Sequence, residues 1–307
     1  MAGDRLRVIC GPTAAGKSSL ALQLALEYGA TIISADSRQI YRAFDIGTAK
    51  PSWSERVAIP HCGIDVAQPE ERYSASRWAR EATHWIAEAR NNGRAALIVG
   101  GTGFYIRALF EPLFPAPTLD SHRRGKLDEY LSKRSIAELR RWCAEIDPEK
   151  VKLGRTQLVR AIETALLAGF RLSDLQERAA RENAGLPTLE PMFLVVDPRA
   201  SLGERIERRV DEMFNAGWVD EVRSLDGYVA ESAPAWKSSG YRVMRALVRD
   251  EIGLSTARER IIIETRQYAK RQRTWFRHQL GNAAITRVDP DEPDAEAVVE
   301  RWWKESS

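Results

Sequence analysis

The sequence predicts an α/β fold, a parallel sheet flanked by helices with an all-helical insertion, and three observations carry that expectation. Residues 6–10 form a short apolar run that stops at Gly11, residues 17–28 read as a helix, and residues 31–34 form a second apolar run. Strand, glycine-bearing loop, helix and strand open a βαβ unit. Residues 95–99 are another buried-strand candidate, ending in Gly100-Gly101-Thr102-Gly103, a second sharp strand-to-helix turn. Residues 119–189 are charged, helical in pattern and free of strand signals; Pro112, Pro115 and Pro117 precede them, and Pro187 and Pro191 close them. Residues 192–196 then return to a strand-like run. The expected organisation is a core begun by residues 1–114, a helical insertion over 115–190, and completion of the core by 191–307 with a basic helix near its end.

Each element has a local reason. The first helix carries Leu20, Leu22, Leu24 and Leu26 among alanines, which are strong helix formers, and Gly29 is a natural stop. Residues 37–60 show no regular period and read as loop with short helices, broken at Pro51 and Pro60. Ser74 is placed to cap a helix with Trp78, Ala82, Trp85, Ile86 and Ala89 on one face, closed by Asn91-Asn92-Gly93. Ser201 with Glu204 and Thr256 with Glu259 both fit the capping-box pattern, the second opening a long helix toward Leu280. Residues 285–288 read as a final edge strand. There is no internal repeat and no low-complexity tract.

Bulk composition excludes more than it identifies. The chain has 307 residues, 44% of them hydrophobic, and a formal net charge of +3, so nucleic-acid binding would have to come from clustered charge. Cys10, Cys62 and Cys143 are widely spaced and odd in number, which argues against a disulfide framework and against a zinc site and points to a reducing, cytoplasmic setting. No apolar run is long enough to span a bilayer, no signal peptide is visible, and the expected state is a monomer.

Gly11-Pro12-Thr13-Ala14-Ala15-Gly16-Lys17-Ser18 matches G-x-x-x-x-G-K-[ST], so the core is expected to be a P-loop core. Its glycines let backbone N–H groups turn inward as an anion nest, and the following helix aims its positive end at the same anion. Lys17 adds a mobile charge, and the Ser18 hydroxyl is a magnesium ligand by type. The motif alone does not say which phosphate it holds. A P-loop NTPase usually has an acid at the end of a neighbouring strand, whereas the third apolar run ends in Gly100-Gly101, as if that strand end approached something bulky, with Thr102 as a hydroxyl donor. Asp36 follows the second strand, at the sheet end where ligands bind, and reads either as a general base or magnesium ligand or as an Asx-turn.

Residues 265–278 contain Arg266, Lys270, Arg271, Arg273 and Arg277 without one acid, and Arg266, Lys270, Arg273 and Arg277 share a helical face. That face is either solvated or an anion-binding surface, with Tyr268, Trp275 and Phe276 interleaved for stacking or core packing. Arg205, Arg208 and Arg209 form another basic group, able to reach the phosphates or to pair with Glu204 and Glu212. His61 and Cys62 are read as structural.

Taken together, these residues resemble the tRNA dimethylallyltransferase (tRNA isopentenyltransferase) family. The resemblance rests on GPTAAGKSSLA from Gly11, ISADSRQIYR from Ile33, IVGGTGFYIRAL from Ile98, LVRAIE from Leu158, RRVDEM from Arg208, SGYR from Ser239 and TRQYAKRQRTWFR from Thr265, in order over nearly the whole chain. It implies transfer of a dimethylallyl group from its diphosphate to the exocyclic amine of the adenine just 3′ of the anticodon. Gly11, Thr13, Ala14, Ala15, Gly16, Lys17 and Ser18 would hold the diphosphate, with Mg2+ on Ser18. Arg209 would contact the same diphosphate, Asp36 would take the amine proton, and Thr102 would assist. Contacts to the tRNA anticodon stem-loop would come from Asp36, Ser37, Arg38, Gln39 and Thr102, from Gln157, Arg160 and Ala161 in the insertion, from Gly240, Tyr241 and Arg242, and from Lys270, Arg271, Gln272, Arg273, Trp275 and Arg277. The chain departs from the family pattern at Leu153-Gly154, at Gln157 and at Val243, and it lacks the Cys/His finger of many eukaryotic members, so it looks bacterial in type. Three other readings stay open: a P-loop small-molecule kinase, a prenyltransferase acting on free adenine nucleotides, and a non-catalytic RNA-binding protein.

Overall fold

The computed structural model describes residues 5–111, 119–182, 189–281 and 283–305. It divides into two compact units, Met1–Phe110 with Thr188–Ser307, and Glu111–Pro187.

The first unit is built on β1 (Arg5–Cys10), β2 (Ala30–Ser34), β3 (His61–Cys62), β4 (Ala95–Gly100), β5 (Glu190–Val196) and β6 (Ala284–Val288). They form one sheet in the order β3-β2-β4-β1-β5-β6. Every pairing is parallel, with Ile9 opposite Val99 and Leu194, and Ile33 opposite Ile98 and Cys62. Parallel strands covered on both faces must be apolar on both, and Val8, Ile9, Ile33, Leu97 and Ile98 are all completely buried.

One face of the sheet presents Ile9, Ile32, Leu97, Leu194 and Val196 to α1 (Lys17–Tyr28) and α13 (Ala295–Lys304). The buried stripe of α1 is Ala21, Leu24 and Ala25. Leu26, one of its four leucines, is 65% exposed. Helix α13 has no counterpart among the sequence expectations, yet it brings Val299, Trp302 and Trp303 into this core, and Trp303 stacks on Tyr28 with ring centroids 4.6 Å apart. α3 (Ala75–Asn91) is capped by the Ser74 hydroxyl, which accepts from the Arg77 N–H at 3.1 Å. Trp78 on its buried stripe donates to the Ser34 carbonyl at 2.9 Å and stacks on Tyr105 of α4 (Gly103–Phe110). Residues 37–60 are loop, as the sequence suggests, plus the six-residue α2 (Trp53–Ala58). The Lys50 ammonium holds that loop together, donating at 2.6 Å to the Tyr41 carbonyl, to Asp45 and to Asp65.

The second unit contains α5 (Ser121–Ser132), α6 (Ile136–Ile146), α7 (Arg155–Ala168) and α8 (Leu172–Glu182), packed around Leu131, Leu139, Cys143, Leu158, Ala161, Ile162 and Leu172. Glu163, 3% exposed, is neutralised by a bidentate Arg124 at 3.1 and 3.2 Å.

After β5 come α9 (Leu202–Asn215), α10 (Trp218–Leu225), α11 (Tyr241–Val248) and α12 (Leu254–His278). Neither expected capping box forms here. Ser201 lies at helical dihedrals without a capping hydrogen bond, because its hydroxyl donates to Asp291 and accepts from the Arg205 guanidinium at 2.9 Å. Thr256 lies inside α12, which begins one turn earlier, after Gly253. Among the described residues no helix is long and apolar enough to cross a membrane.

Trp302 is 1% exposed where α13 meets the sheet. Trp302→Ala is expected to remove about 3–5 kcal/mol of stability, read from the urea midpoint at unchanged m-value.

Candidate active site

The P-loop and the ends of β2 and β4 meet at one edge of the sheet. The loop follows β1 directly, and Gly11, at φ +144°, lies so close to β5 that a Cβ there would fall 2.1 Å from the Val196 carbonyl oxygen. Ala14 and Gly16 take left-handed backbone at φ 61° and 92°, and such turns aim successive N–H groups into one concavity. Lys17 folds back to donate to the Pro12 carbonyl at 2.6 Å.

The other wall is tied to the loop by Gln272 of α12, which is 6% exposed. Its Oε1 accepts from the Thr13 N–H at 2.8 Å, and its Nε2 donates to the Gly101 carbonyl at 2.8 Å. The glycines after β4 answer to protein neighbours rather than to a ligand. A Cβ would fall 2.2 Å from the Ala35 oxygen at Gly100, 2.2 Å from Gln272 Nε2 at Gly101, and 2.2 Å from the Trp275 ring at Gly103. What the β4 end approaches is therefore the β2 exit and α12.

Asp36 stands just beyond β2. One carboxylate oxygen accepts from the Arg38 N–H at 2.9 Å, so the Asx-turn is present, and the same residue lines the cavity over the P-loop. Thr102 Oγ accepts from the Ser37 N–H at 3.0 Å and donates to Ser37 Oγ at 3.3 Å. That cavity, about 180 Å³, is lined by Thr13, Lys17 and Ser18 at its phosphate end, by Asp36 and Arg209, and by apolar Leu22, Ile32 and Ile64. A smaller one, about 60 Å³, lies on the far side of Asp36 and Arg209 and is lined by Arg38, Gly47, Val210, Met213, Ser239 and Thr265.

Two half-buried cations face one carboxylate here. Burial pushes the Lys17 ammonium down to about 8, the neighbouring Arg209 adds to the shift, and Asp36 opposes it. Arg209 is lowered as well, by burial, against the pull of Asp36 and Glu212. Both cations would gain from an anion in the cavity. Among the described residues no group of three or more His, Cys, Asp or Glu is placed to hold a metal. The Ser18 hydroxyl and the Asp36 carboxylate line the same cavity, a sparse oxygen set of the kind magnesium accepts when phosphate oxygens and waters complete its shell.

Other residues singled out in the sequence separate into exposed and structural. Lys270, Arg271 and Arg277 are exposed on α12 and Arg242 on α11, while Gln157 and Arg160 are exposed on α7. Ala161 is fully buried in the insertion core and offers no surface to RNA. Tyr241 is fully buried, its ring against Phe44 and Trp218 and its hydroxyl donating to Glu221 at 2.6 Å. The other Glu221 oxygen accepts from the Asp45 and Ile46 N–H groups, so Tyr241 supports the loop and is not a ligand contact. Gly240, at φ +80°, makes room for the Trp218 ring. Gln39 is spent on the Thr48 and Ala49 carbonyls and the Ser34 hydroxyl. Gln272 and Trp275 pack against the glycines after β4. The basic stripe is less bare than its own helix suggests, because the missing acids come from elsewhere. Arg273 is paired with Asp197 at 2.6 Å and Arg266 with Glu207. Of the second basic group, Arg209 reaches the cavity, Arg205 pairs with Asp291, and Arg208 lies 3.9 Å from Glu212.

Tyr268, expected to stack on bases or pack in the core, and His61, expected to be structural, both line the larger cavity. A signal for the first was available: Ile261, Thr265, Tyr268 and Gln272 fall at i, i+4, i+7 and i+11, the helix face beside the basic stripe, and all four line one cavity or the other.

A family model described as IPP transferase matches residues 39–279. The chain belongs to the IPP transferase family. A second model, isopentenyl transferase, matches residues 4–59 of the chain. It is 40% identical over 286 residues to a tRNA dimethylallyltransferase of Anaeromyxobacter sp. (strain Fw109-5), covering 91% of this chain and 93% of the relative. It is 40% identical over 299 residues to one from Halorhodospira halophila, covering 95% and 96%. Among solved structures it is similar to a tRNA isopentenylpyrophosphate transferase from Bacillus halodurans, at TM-score 0.68 and 29% identity over 99% of this chain and 96% of that one. A eukaryotic dimethylallyltransferase acting on tRNA matches at TM-score 0.76 and 25% identity, over 97% and 78%.

Because Lys17 is charged below about 8 and neutral above it, affinity of the free enzyme for an anionic donor is expected to fall as pH rises through that value. The slope of kcat/KM against pH between 7 and 9.5 measures it, with Lys17→Arg, charged throughout, as the reference. The same slope in both proteins would remove Lys17 as its source.

Proposed function

We propose that this enzyme transfers a dimethylallyl group from dimethylallyl diphosphate to the exocyclic amine of the adenine just 3′ of the anticodon in tRNA. The carrying observation is that Lys17 of the P-loop, Arg209 and Asp36 share one cavity, which meets a second cavity across Asp36 and Arg209. The printed names of its relatives, tRNA dimethylallyltransferases, support the same reading.

The donor's diphosphate would lie over the P-loop and its prenyl tail along Leu22, Ile32 and Ile64. As the carbon–oxygen bond breaks, its electron pair leaves with the diphosphate oxygen, where Lys17, Arg209 and the loop N–H groups are arranged to stabilise new charge. The amine nitrogen forms the new bond to carbon, and its proton passes to the Asp36 carboxylate. Magnesium, held by Ser18 and the diphosphate itself, would supply further neutralisation of the leaving group. The adenine has to leave the anticodon-loop stack to reach Asp36. Exposed Lys270, Arg271, Arg277 and Arg242 are suited to backbone phosphates, and Gln157 and Arg160 of the insertion to further RNA contacts. A kinase reading is less well supported, because β4 ends in Gly100-Gly101 where a nucleotide hydrolase carries its acid.

The test is transfer of label from dimethylallyl diphosphate to an anticodon stem-loop RNA in the presence of magnesium, with AMP and ATP in parallel. Label in the RNA alone is expected. Label in AMP, or consumption of ATP without transfer, would replace this function by one of the alternatives. Asp36→Asn is expected to lower kcat by about a hundredfold or more, with RNA affinity within twofold of the parent by filter binding.

A further inference from the structure

Beside the P-loop lies a pocket of about 330 Å³ that shares no lining residue with the donor cavity. The loop gives Pro12 to the pocket and Thr13 to the cavity. The other walls come from the residues around the ends of β5, β6 and α12. Its charged lining is four arginines, Arg199, Arg273, Arg277 and Arg287, against two aspartates, Asp197 and Asp289.

The aspartates are already engaged. Both Asp197 oxygens accept from the Arg273 guanidinium, at 2.6 to 3.1 Å. Asp289 accepts from the N–H groups of Arg199 and Asp291, at 3.2 and 3.1 Å. Arg287 donates to the Phe276 carbonyl at 3.3 Å, which uses one N–H of a group that carries five. The side chains of Arg199 and Arg277 have no partner among the described residues. Three exposed guanidinium groups therefore line one pocket with no acid left to answer them, and like charges so placed repel. A phosphate relieves that repulsion, and the guanidinium fork fits two of its oxygens at once.

We propose that this pocket seats a backbone phosphate of bound RNA through Arg199, Arg277 and Arg287. Arg277 joins the pocket to the exposed stripe of α12, on which Lys270 lies seven residues earlier, about 10 Å away along the helix. A partner with regularly spaced phosphates covers both positions, whereas a free phosphorylated molecule in the pocket leaves Lys270 unanswered. Resting on the RNA substrate proposed above, this seat extends the RNA surface from α12 to the ends of β5 and β6.

The test is filter binding of the anticodon stem-loop RNA to full-length protein from about 50 to 300 mM salt. Arg199→Ala removes a side chain that holds no other part of the protein, so its folding is not at stake. Arg199→Ala and Arg287→Ala are each expected to reduce the slope of log K against log salt by about 0.7–0.9, and affinity about fivefold at 0.1 M, the share of one phosphate. The loss is expected to be equal for a stem-loop of scrambled sequence, since a phosphate contact reads no base. Arg199→Lys keeps the charge and is expected to keep the slope. Arg301→Ala, on α13 and outside the pocket, gives the effect of net charge alone. Slopes in Arg199→Ala and Arg287→Ala equal to that of Arg301→Ala would overturn the RNA seat. Inorganic diphosphate, followed by the rise in melting temperature it causes, checks the other occupant. A rise reduced in Arg199→Ala beside an unmoved RNA slope would overturn the RNA seat and give the pocket to a free phosphorylated molecule. If the unaltered protein binds the stem-loop and transfers nothing, the proposed reaction fails while the slopes still decide the seat; if it binds no RNA, both fail.

Discussion

The site depends on the clamp made by the Gln272 side chain. A P-loop is a turn of strained backbone whose N–H groups face a cavity instead of one another, and Ala14, a non-glycine residue at φ 61°, is part of that strain. Such a turn holds its shape only if its surroundings determine it. Gln272 supplies an acceptor to Thr13 and a donor to Gly101, fastening loop, β4 end and α12 into one frame. Both amide groups are satisfied, so burying this polar side chain carries little penalty. The glycines after β4 are the steric condition for it: without them neither the amide nor the Trp275 ring could approach.

Within that frame the electrostatics are left unbalanced. Lys17 and Arg209 are both lowered by burial and both feel Asp36. Two cations against one carboxylate in one cavity is an arrangement that an incoming polyanion improves. Binding energy and catalysis draw on the same groups, because the charge that holds a diphosphate also stabilises it as it departs.

How far the sequence foretold this structure varied with the range of the interaction. Residues 6–34 were legible because strand, loop and helix there follow local rules, and Ser74 caps its helix as its neighbours suggest. The Ser201 box failed for a non-local reason: Asp291, far along the chain, competes for the hydroxyl. The basic stripe of α12 looked unpaired because its partners, Asp197 and Glu207, belong to other elements. Tyr241 and Ala161 lie in segments that mark the family, but their side chains point into cores. Such segments identify a neighbourhood without saying which of its members face the ligand. Tyr268 shows the opposite effect: an aromatic in a charged run, expected to stack on bases or pack in the core, it lies on the helix face beside the basic stripe and lines both cavities.

The sheet order carries a consequence for how the chain is made. The central strand β1 lies between β4 and β5, so one of its two partners leaves the ribosome only after the whole insertion, and the core below the P-loop is closed last, by Trp302 and Trp303. Until then that apolar sheet face is covered by α1 alone, a state that favours misassembly. The insertion has its own core and local contacts, so it is able to fold during that wait. Synthesis thus passes through a stage in which one unit is finished and the other is exposed, and chaperone occupancy is expected to be highest between the emergence of β2 and that of α13.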